Sequence, residues 1–368
     1  PGKMDIKPPP WFEQFKIQQV QGEVKRVEAL EKKINLVSKA EKQIISFDQC
    51  CIAIGADPIS LPIPGNNLPE VLAFRSLEHA NYLKNAIKSI KHVVVIGGGV
   101  LGMEVVELAV TNRIKCTVLQ RGNLIGTPLV DEIGAEILLK RITGEDGVHP
   151  TCANVIFGDG ITEFLSQNGH LSGIRLQSNR EIPCDLAVVC IGISTDPEIF
   201  KGSGLNFDRG LIVDEHQQTN IDGIYGAGDC VIYPNESGRF VPTRTWVTSR
   251  IQGKTAGYNM CGIPCLLFDE GPMYNASYLF DLLYTVIGEF NPQGEDYQSF
   301  QYQPDAMSYR KVIFKKNRIV GAMMLGDRNG DQAIRRLIAQ NVEIDSDEKK
   351  RKLLDPAFDP NDLAKEGI

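Results

Sequence analysis

The sequence predicts an α/β fold in which a parallel sheet with helices is combined with antiparallel strands and a C-terminal α+β module. Three observations predict it. Apolar strand-like runs alternate with helical patterns from about residue 76 onward, which is typical of parallel sheets. Residues 18 to 56 alternate apolar and polar positions between charged turns, which predicts an antiparallel meander. From about residue 270, long alternating runs precede one helical pattern, as in a separate α+β module.

The composition excludes several classes of protein. A chain of 368 residues is long enough for two or three domains. Its formal net charge of −7 argues against a nucleic-acid binder, and no apolar run approaches the roughly 20 residues of a membrane span. The nine cysteines contain no CxxC pair. We therefore expect reduced thiols and a place in the cytoplasm, or in the mitochondrial matrix if the source is eukaryotic.

The elements of the parallel-sheet region follow in order. After the meander, "SLEHANYLKNAIKSI" has helical spacing. A strand at 92–96, a helix at about 100–111, a strand within "IKCTVLQ" and a helix near 131–142 come next. Asn168-Gly169 lies between two alternating segments, which predicts a β-hairpin. "DLAVVCIGI" is a further buried strand.

The rest of the chain is divided between strands and three polar or helical segments. "GLIVDE" and "GIYGAGDCVIY" predict short strands, and "TWVTSRIQGKTAGYNM" predicts a helix. "YTVIGEFNP" and "YRKVIFKKNRIVGAMML" predict strands of the C-terminal module, followed by a helix in "NGDQAIRRLIAQN". The last twenty or so residues are polar and predict a tail or a short helix.

The stretch "KHVVVIGGGVLGMEVVEL" contains a GxGxxG motif between an apolar strand and a helix. Gly97 permits a tight turn, Gly99 lets a pyrophosphate approach the backbone, and Gly102 lets helix and strand pack closely. The helix N-terminus offers N–H groups to the phosphates. The motif therefore predicts a dinucleotide site formed by Gly97, Gly98, Gly99, Val100, Leu101 and Gly102. A plain glycine-rich turn is the alternative.

The end of the next strand bears on the choice of dinucleotide. An acid there would bind the ribose hydroxyls and select NAD, but this chain has Gln120 followed by Arg121. Gln120 can bind a ribose hydroxyl without repelling a 2′-phosphate, and Arg121 can pair with one. We expect NADPH or dual use, with an exposed loop charge as the alternative role of Arg121.

The segment "TNIDGIYGAGDC" is a second motif, and with it the sequence resembles the pyridine nucleotide–disulfide oxidoreductase superfamily of flavoprotein reductases. Within it, the ferredoxin and rubredoxin reductases, nitrite reductase flavin modules, NADH oxidases and apoptosis-inducing-factor-like proteins are the most similar. The resemblance covers roughly residues 10 to 342. It implies that FAD and NAD(P)H are the cofactors, and that Gly228 and Asp229 lie beside the ribityl and pyrophosphate groups of FAD.

Further segments carry the same resemblance. "CIAIGADP" is similar to a connector of the family and places Ala53 and Gly55 at the flavin, although Ile54 stands where Thr is usual. "TWVTSRIQGKTAGYNM" resembles the helix whose start, here Trp246, faces the flavin ring.

Two residues are implied on the nicotinamide side. "VVCIGISTDPE" resembles the exit strand of the nucleotide domain, with Gly192 at the nicotinamide. Glu104 occupies the position of a family glutamate that approaches the nicotinamide, and it is the candidate catalytic residue. An ordinary helix residue is the alternative role of Glu104.

The resemblance implies two interleaved Rossmann-like dinucleotide-binding domains of three-layer type and a C-terminal α+β interface domain. The FAD-binding domain would comprise 1–85 and 200–268, the NAD(P)-binding domain 86–199, the interface domain 269–345, and a polar tail 346–368. In the family, the FAD domain begins with its own GxGxxG unit, and residues 1–17 would already lie after it. We therefore expect the first βαβ unit of that domain to be missing from this sequence, and no catalytic cysteine can be named.

The implied function is that of an FAD-dependent NAD(P)H oxidoreductase, which passes hydride to flavin and electrons to a redox protein, a quinone, oxygen or a disulfide. The interface domain implies a homodimer or a place in a larger complex. The alternative is a non-catalytic relative that has lost its flavin half-site and serves as a scaffold. A simple dehydrogenase is disfavoured, because no histidine follows a strand end near the nicotinamide.

Overall fold

A computed structural model describes residues 7–38, 41–127, 129–148, 153–234, 240–241, 245–266, 272–292 and 294–366. The strands, in chain order, are β1 (Glu23–Glu28), β2 (Lys33–Ser38), β3 (Glu41–Ser46), β4 (Cys50–Ile52), β5 (Asp57–Pro58), β6 (Val71–Ala73), β7 (His92–Ile96), β8 (Lys115–Gln120), β9 (Ala153–Phe157), β10 (Ile161–Gln167), β11 (His170–Leu176), β12 (Glu181–Pro183), β13 (Leu186–Val189), β14 (Ile193–Ser194), β15 (Leu211–Ile212), β16 (Ile224–Gly226), β17 (Val231–Pro234), β18 (Phe240–Val241), β19 (Tyr274–Leu279), β20 (Leu282–Gly288), β21 (Tyr297–Asp305), β22 (Ser308–Lys315) and β23 (Arg318–Leu325). The helices are α1 (Pro9–Gln14), α2 (Leu77–Ala86), α3 (Val100–Thr111), α4 (Glu132–Thr143), α5 (Trp246–Met260), α6 (Asp331–Ala339), α7 (Asp347–Lys352) and α8 (Asn361–Glu366).

The chain forms two compact units, and each consists of two separate segments. The first unit comprises Pro1–Asp57 and Ser194–Asp269, and the second comprises Pro58–Ile193 and Glu270–Ile368. The chain passes between the units at 57/58, 193/194 and 269/270, whereas the resemblance implies boundaries at 85/86 and 199/200. The physical reason is that β6 pairs with β13 in the sheet of the second unit, and Leu83 of α2 is buried in its core.

The first unit contains the predicted meander and two short parallel pairs. Strands β1, β2 and β3 form an antiparallel sheet, which confirms the predicted meander over residues 23–46; the last predicted run, β4, lies outside that sheet. Strand β4 pairs in parallel with β16, and β15 pairs in parallel with β17. One core unites these pieces, and its fully buried members include Leu211, Ile224 and Cys230.

The second unit is built around a parallel sheet of order β6-β13-β7-β8-β9. Val93, Val94 and Val95 of β7 are completely buried, because this strand has neighbours on both sides, with helices α3 and α4 on one face and the strands β10–β12 on the other. Helices α3 and α4 follow β7 and β8, close to the predicted ranges. Asn168 and Gly169 have φ values of 54° and 82° between β10 and β11, and the two strands pair antiparallel as a hairpin, as predicted.

The C-terminal module belongs to the second unit and has a five-stranded antiparallel sheet of order β19-β20-β23-β22-β21. It shares a continuous apolar core with the helices of the parallel domain, formed among others by Met103, Val106, Ile137, Leu138, Phe280, Tyr284, Tyr309 and Leu325. Its second core includes Ile334 and Leu337 of α6. The module is thus packed on α3 and α4 by side chains that are almost wholly removed from water.

The segment that was expected to be a polar tail forms α7 and α8 and packs on the second core of the module. Leu353, Leu354 and Leu363 are buried there. Lys350 is 2% exposed, and its Nζ donates to Gln298 Oε1 at 3.1 Å and to Asn317 Oδ1 at 2.9 Å. The charged run of α7 would be fully exposed if Lys350 had no polar partner inside the protein. Gln298 and Asn317 provide such partners, so Lys350 can be buried.

Within the ranges that the structure describes, no helix has both the length and the apolar character that crossing a membrane requires.

Candidate functional site

The GxGxxG loop connects β7 to α3, and two of its glycines are required by packing. Gly97 has a φ of 107°, and a Cβ there would collide with the carbonyl oxygen of Cys190. A Cβ on Gly102 would collide with the carbonyl oxygen of Gly97. The loop therefore turns sharply and brings α3 close to the sheet, as the motif predicts.

Gly99 has a different role, because the space beside it is open. It is the N-cap of α3 and makes no side-chain capping bond. The nearest atom to a Cβ placed on it is the carbonyl oxygen of Thr127, at 3.6 Å. The N–H groups of Val100 and Leu101 have no partner within the helix, and they lie at the positive end of its dipole. These features fit a pyrophosphate group.

The carboxyl ends of β7 and β13 lie side by side at the point where the strand order reverses. Residues Leu186 to Val189 pair in parallel with Val93 to Ile96, and the N–H of Cys190 donates to the carbonyl oxygen of Ile96 at 2.7 Å. Gly192 follows with a φ of 112°. In open α/β sheets, ligands bind in the crevice at such a reversal. The structure thus brings Gly192 and the glycine loop to one edge.

Gln120 stands at the end of β8, as predicted, but its side chain points into the protein. Its Oε1 accepts from the N–H of Gly98 at 2.9 Å, and its Nε2 donates to the carbonyl oxygen of Leu124 at 2.8 Å. Both polar atoms of the Gln120 side chain are therefore hydrogen-bonded to the backbone of the protein. Arg121 follows Gln120 and is exposed. The sequence shows which residue ends the strand, but not where its amide group points.

Glu104 lies on α3 among groups that sequence reasoning missed. Partial desolvation, and secondly the charge of Glu107, raise the pKa of the Glu104 carboxyl. Burial and then the charge of Glu104 raise the pKa of the Cys190 thiol to about 12. The same two causes raise the pKa of Tyr284 to about 12. The Glu104 carboxylate therefore acts on the Cys190 thiol, which follows β13, and on the Tyr284 phenol of β20; both are distant in the sequence and carry no motif.

The first unit brings its predicted site residues together at the ends of two parallel strands. Ala53 and Gly55 follow β4, and Gly228 and Asp229 follow β16. The N–H of Ala227 donates to the carbonyl oxygen of Ile52 at 3.0 Å, so the two segments leave the sheet at the same edge. Gly55 and Gly228 have φ values of 69° and 86°.

This edge has room for a ligand. A Cβ on Gly55 would have no heavy atom within 4 Å, and one on Gly228 would find its nearest neighbour, Ser249 Oγ, at 3.7 Å. A ligand could therefore come close to the backbone at Gly55 and at Gly228, beside the half-buried Asp229. The edge fits the polar part of a dinucleotide, because a carboxylate can accept hydrogen bonds from its hydroxyl groups.

Helix α5 begins beside this edge. Gln252 is 1% exposed, and its Oε1 accepts from the N–H of Gly228 at 2.8 Å. In contrast, Trp246 at the start of the helix is 71% exposed and Ile54 is 46% exposed. Gln252 thus ties the helix to the Gly228 turn, while Trp246 at the start of the helix stays exposed.

A scan against family models finds the pyridine nucleotide-disulphide oxidoreductase family over residues 12–253. The chain belongs to this family. A second model, the rubredoxin NAD⁺ reductase C-terminal domain, matches residues 279–342 within the C-terminal module. The family expected from the motifs is therefore confirmed, and the match includes all the predicted site residues.

Curated relatives and solved structures agree with this assignment. The chain is 25% identical over 348 residues to an NAD(P)H nitrite reductase of Bacillus subtilis, covering 94% of this chain and 41% of that protein. It is 29% identical over 301 residues to a probable ferredoxin reductase of Castellaniella defragrans, covering 80% and 70%. The chain thus spans less than half of the nitrite reductase.

Among solved structures, a ferredoxin reductase from Rhodopseudomonas palustris superposes with a TM-score of 0.85 at 21% identity, covering 100% of this chain and 86% of that one. At this identity the likeness concerns the fold, and it confirms the predicted α/β architecture with a C-terminal antiparallel sheet.

Proposed function

We propose that the protein is an FAD-dependent NAD(P)H oxidoreductase that delivers electrons to a redox-protein acceptor. The observation that carries this proposal is that each unit has an open glycine-lined strand edge, within a chain that belongs to the pyridine nucleotide-disulphide oxidoreductase family. Relatives are named as NAD(P)H nitrite reductase, rubredoxin-NAD⁺ reductase and NADH oxidase, and one fold neighbour is titled FAD-dependent. When bound, FAD supplies the capacity to accept hydride and to pass electrons on.

The second unit would hold NAD(P)H. The N–H groups at the start of α3 bind the pyrophosphate, and Gly99 leaves space for it. Arg121 is exposed at the end of β8, where it pairs with a ribose phosphate. Gly192 and Glu104 border the nicotinamide side of the site, since the charge of Glu104 acts on Cys190, two residues before Gly192.

The first unit would hold FAD. Asp229 accepts hydrogen bonds from the ribityl hydroxyls, and Ala53, Gly55 and Gly228 allow the backbone to approach the cofactor. Trp246 presents its exposed indole to the flavin side. The protein's own contribution is to align the two cofactors and to exclude water, and both affect the rate of hydride transfer.

The acceptor and the assembly are proposed from relatives. Ferredoxin and rubredoxin reductases are among the curated matches, and a covalent putidaredoxin reductase–putidaredoxin complex is among the fold neighbours. A small redox protein is the acceptor that these names favour over nitrite or oxygen. We also propose a homodimer, or a subunit of a larger complex, in the cytoplasm.

The visible absorption spectrum of the protein, expressed from its complete coding sequence, tests the proposal. We expect flavin bands near ~370 and ~450 nm that bleach anaerobically with NADPH or NADH. A colourless protein, or a flavin that neither nucleotide reduces, would overturn the reductase assignment and favour a scaffold.

The coenzyme is tested by comparing Arg121→Ala with Lys115→Ala, which removes the same charge at the other end of β8. Arg121→Ala should weaken NADPH binding about tenfold and leave NADH binding unchanged, since only NADPH carries the 2′-phosphate. Equal effects on both nucleotides, or an equal effect of Lys115→Ala, would contradict a preference for NADPH.

A further inference from the structure

The segment between β8 and α4, residues 121–131, is fastened to the glycine loop, and we call it the β8–α4 loop. Of its residues, the structure describes all but 128. The N–H of Gly126 donates to the carbonyl oxygen of Gly98 at 2.6 Å. Gln120, just before the loop, joins the N–H of Gly98 to the carbonyl oxygen of Leu124. The β8–α4 loop and the glycine loop therefore form one hydrogen-bonded pair of turns.

The other end of the β8–α4 loop is held by the C-terminal module through one carboxylate. Asp131 Oδ1 accepts from the N–H of Gly134 at 3.1 Å and so caps α4. Its Oδ2 accepts from Tyr309 Oη at 2.8 Å and from Lys311 Nζ at 2.9 Å. Tyr309 and Lys311 both lie on β22. A single residue thus joins a helix N-terminus, the β8–α4 loop and the C-terminal sheet.

The surroundings make this link strong. The side chains of Asp131 and Lys311 are each 13% exposed, and Tyr309 is 1% exposed. Hydrogen bonds to an ionised carboxylate are the stronger kind, and water cannot easily replace them at a buried site. Burial and then the charge of Asp131 raise the pKa of Tyr309, so its hydroxyl remains a donor throughout the physiological pH range.

We propose that Asp131, Tyr309 and Lys311 are positioning residues through which the C-terminal module sets the geometry of the NAD(P)H site. Tyr309 and Lys311 of β22 hold Asp131, and two residues before it the N–H of Leu129 donates to the carbonyl oxygen of Gly126 at 3.0 Å. Gly126 is in turn bonded to Gly98 of the glycine loop. The module thereby controls nucleotide affinity without touching the nucleotide. This inference rests on the proposed NAD(P)H site.

Two variants test the link, with one matched control. Tyr309→Phe removes only the hydroxyl, and Lys311→Met removes the charge while keeping the length of the side chain. The control is Lys315→Met on the same strand, whose Nζ contacts Tyr297 Oη at 3.5 Å and not Asp131. Calorimetric titration of the oxidised protein with NADP⁺ and NAD⁺, which bind without reducing the flavin, gives the Kd. Hydrogen exchange of the nucleotide-free protein reports on the two loops directly.

For both test variants we expect the Kd to rise by about three- to tenfold, and amide exchange to accelerate in peptides covering 97–102 and 121–131. The flavin spectrum and the rate of flavin reduction at saturating nucleotide should stay unchanged, because the link acts on binding. Lys315→Met should leave the Kd and the exchange at wild-type values.

Two results would overturn the inference. One is a lower melting temperature with unchanged Kd and unchanged loop exchange, which would make the link purely structural. The other is an equal rise of the Kd in Lys315→Met, which would show a general charge effect. Wild-type protein that binds neither nucleotide would instead overturn the proposed function itself. The two failures are therefore distinguishable.

Discussion

At the scale of single residues, the three glycines of the GxGxxG motif have different structural roles. Gly97 and Gly102 are glycines because a side chain would collide with backbone oxygens, whereas Gly99 is surrounded by open space. The motif alone does not separate these roles. The contacts around each position do so, and they predict different consequences of substitution.

Gly102→Ala should destabilise the fold, since its Cβ would collide with the Gly97 carbonyl oxygen. Overpacking of this kind costs about 1–3 kcal/mol. Gly99→Ala should keep the melting temperature of the wild type, because its Cβ meets no atom closer than 3.6 Å, but it should raise the Kd for NAD(P)H. Thermal melting, and calorimetric titration of the oxidised protein with NADP⁺ and NAD⁺, check the pair. A loss of stability in Gly99→Ala that matches that of Gly102→Ala would contradict this division of roles.

Glu104 gives a prediction about pH. Desolvation and Glu107 raise the pKa of its carboxyl, so its ionisation should occur above the usual range for glutamate. If Glu104 borders the nicotinamide, the rate of flavin reduction by NAD(P)H should show a titration at that higher pH. Glu104→Gln should abolish the titration. Glu107→Gln should move it to lower pH, because it removes a charge that opposes ionisation of Glu104.

A stopped-flow pH profile of flavin reduction checks both variants. If the titration persists in Glu104→Gln, it belongs to another group. If its pH is unchanged in Glu107→Gln, the charge of Glu107 is not a cause of the raised pKa of Glu104.

At the scale of elements, a buried hydrogen bond ties helix α5 to the Gly228 turn. Gln252 holds the N–H of Gly228, and the helix start leaves Trp246 exposed. The hydropathy pattern of "TWVTSRIQGKTAGYNM" predicts the helix but not this contact, because Gln252 joins a turn 24 residues away. The helix therefore depends on the Gly228 turn for its placement at the proposed flavin edge.

Gln252→Leu should release that turn, because the N–H of Gly228 loses its acceptor. The cost of an unsatisfied buried donor is about 1–3 kcal/mol, and we expect a lower ratio of flavin absorbance to protein absorbance after purification. Gln252→Glu keeps an acceptor oxygen and should retain more flavin than Gln252→Leu. Equal flavin content in both variants would show that the bond does not support the site.

At the scale of the whole molecule, the two compact units differ in how they are assembled. The first is made of small sheets around one core. The second joins a parallel sheet and an antiparallel sheet through one shared core, and α7 and α8 cover the far face of the antiparallel sheet. The C-terminal module therefore should not unfold independently of the parallel domain.

Leu325→Ala tests this shared core. Leu325 is 0% exposed, and truncation of a buried leucine costs about 2–5 kcal/mol. We expect native-state hydrogen exchange to accelerate in β7 and β8 as well as in β20 and β23, since the strands belong to one cooperative unit. Acceleration restricted to the C-terminal strands would show that the two sheets unfold separately.

Local patterns in the sequence determined most of the elements and the family. The GxGxxG motif, the Asn168-Gly169 turn and the period-2 alternation of residues 18 to 56 each depend on neighbouring residues, so the sequence suffices to predict them. The same holds for the order of the motifs from Ala53 to Trp246, which carried the resemblance that the family match confirms.

Tertiary structure alone decided the contacts between distant segments. The sequence could not show that Gln120 turns its amide inward, that Lys350 is buried among polar partners, or that Asp131 meets Tyr309 and Lys311 across about 180 residues. The physical reason is that a hydrogen bond or a buried charge depends on which partners the fold brings within about 3 Å, and no local pattern records that distance.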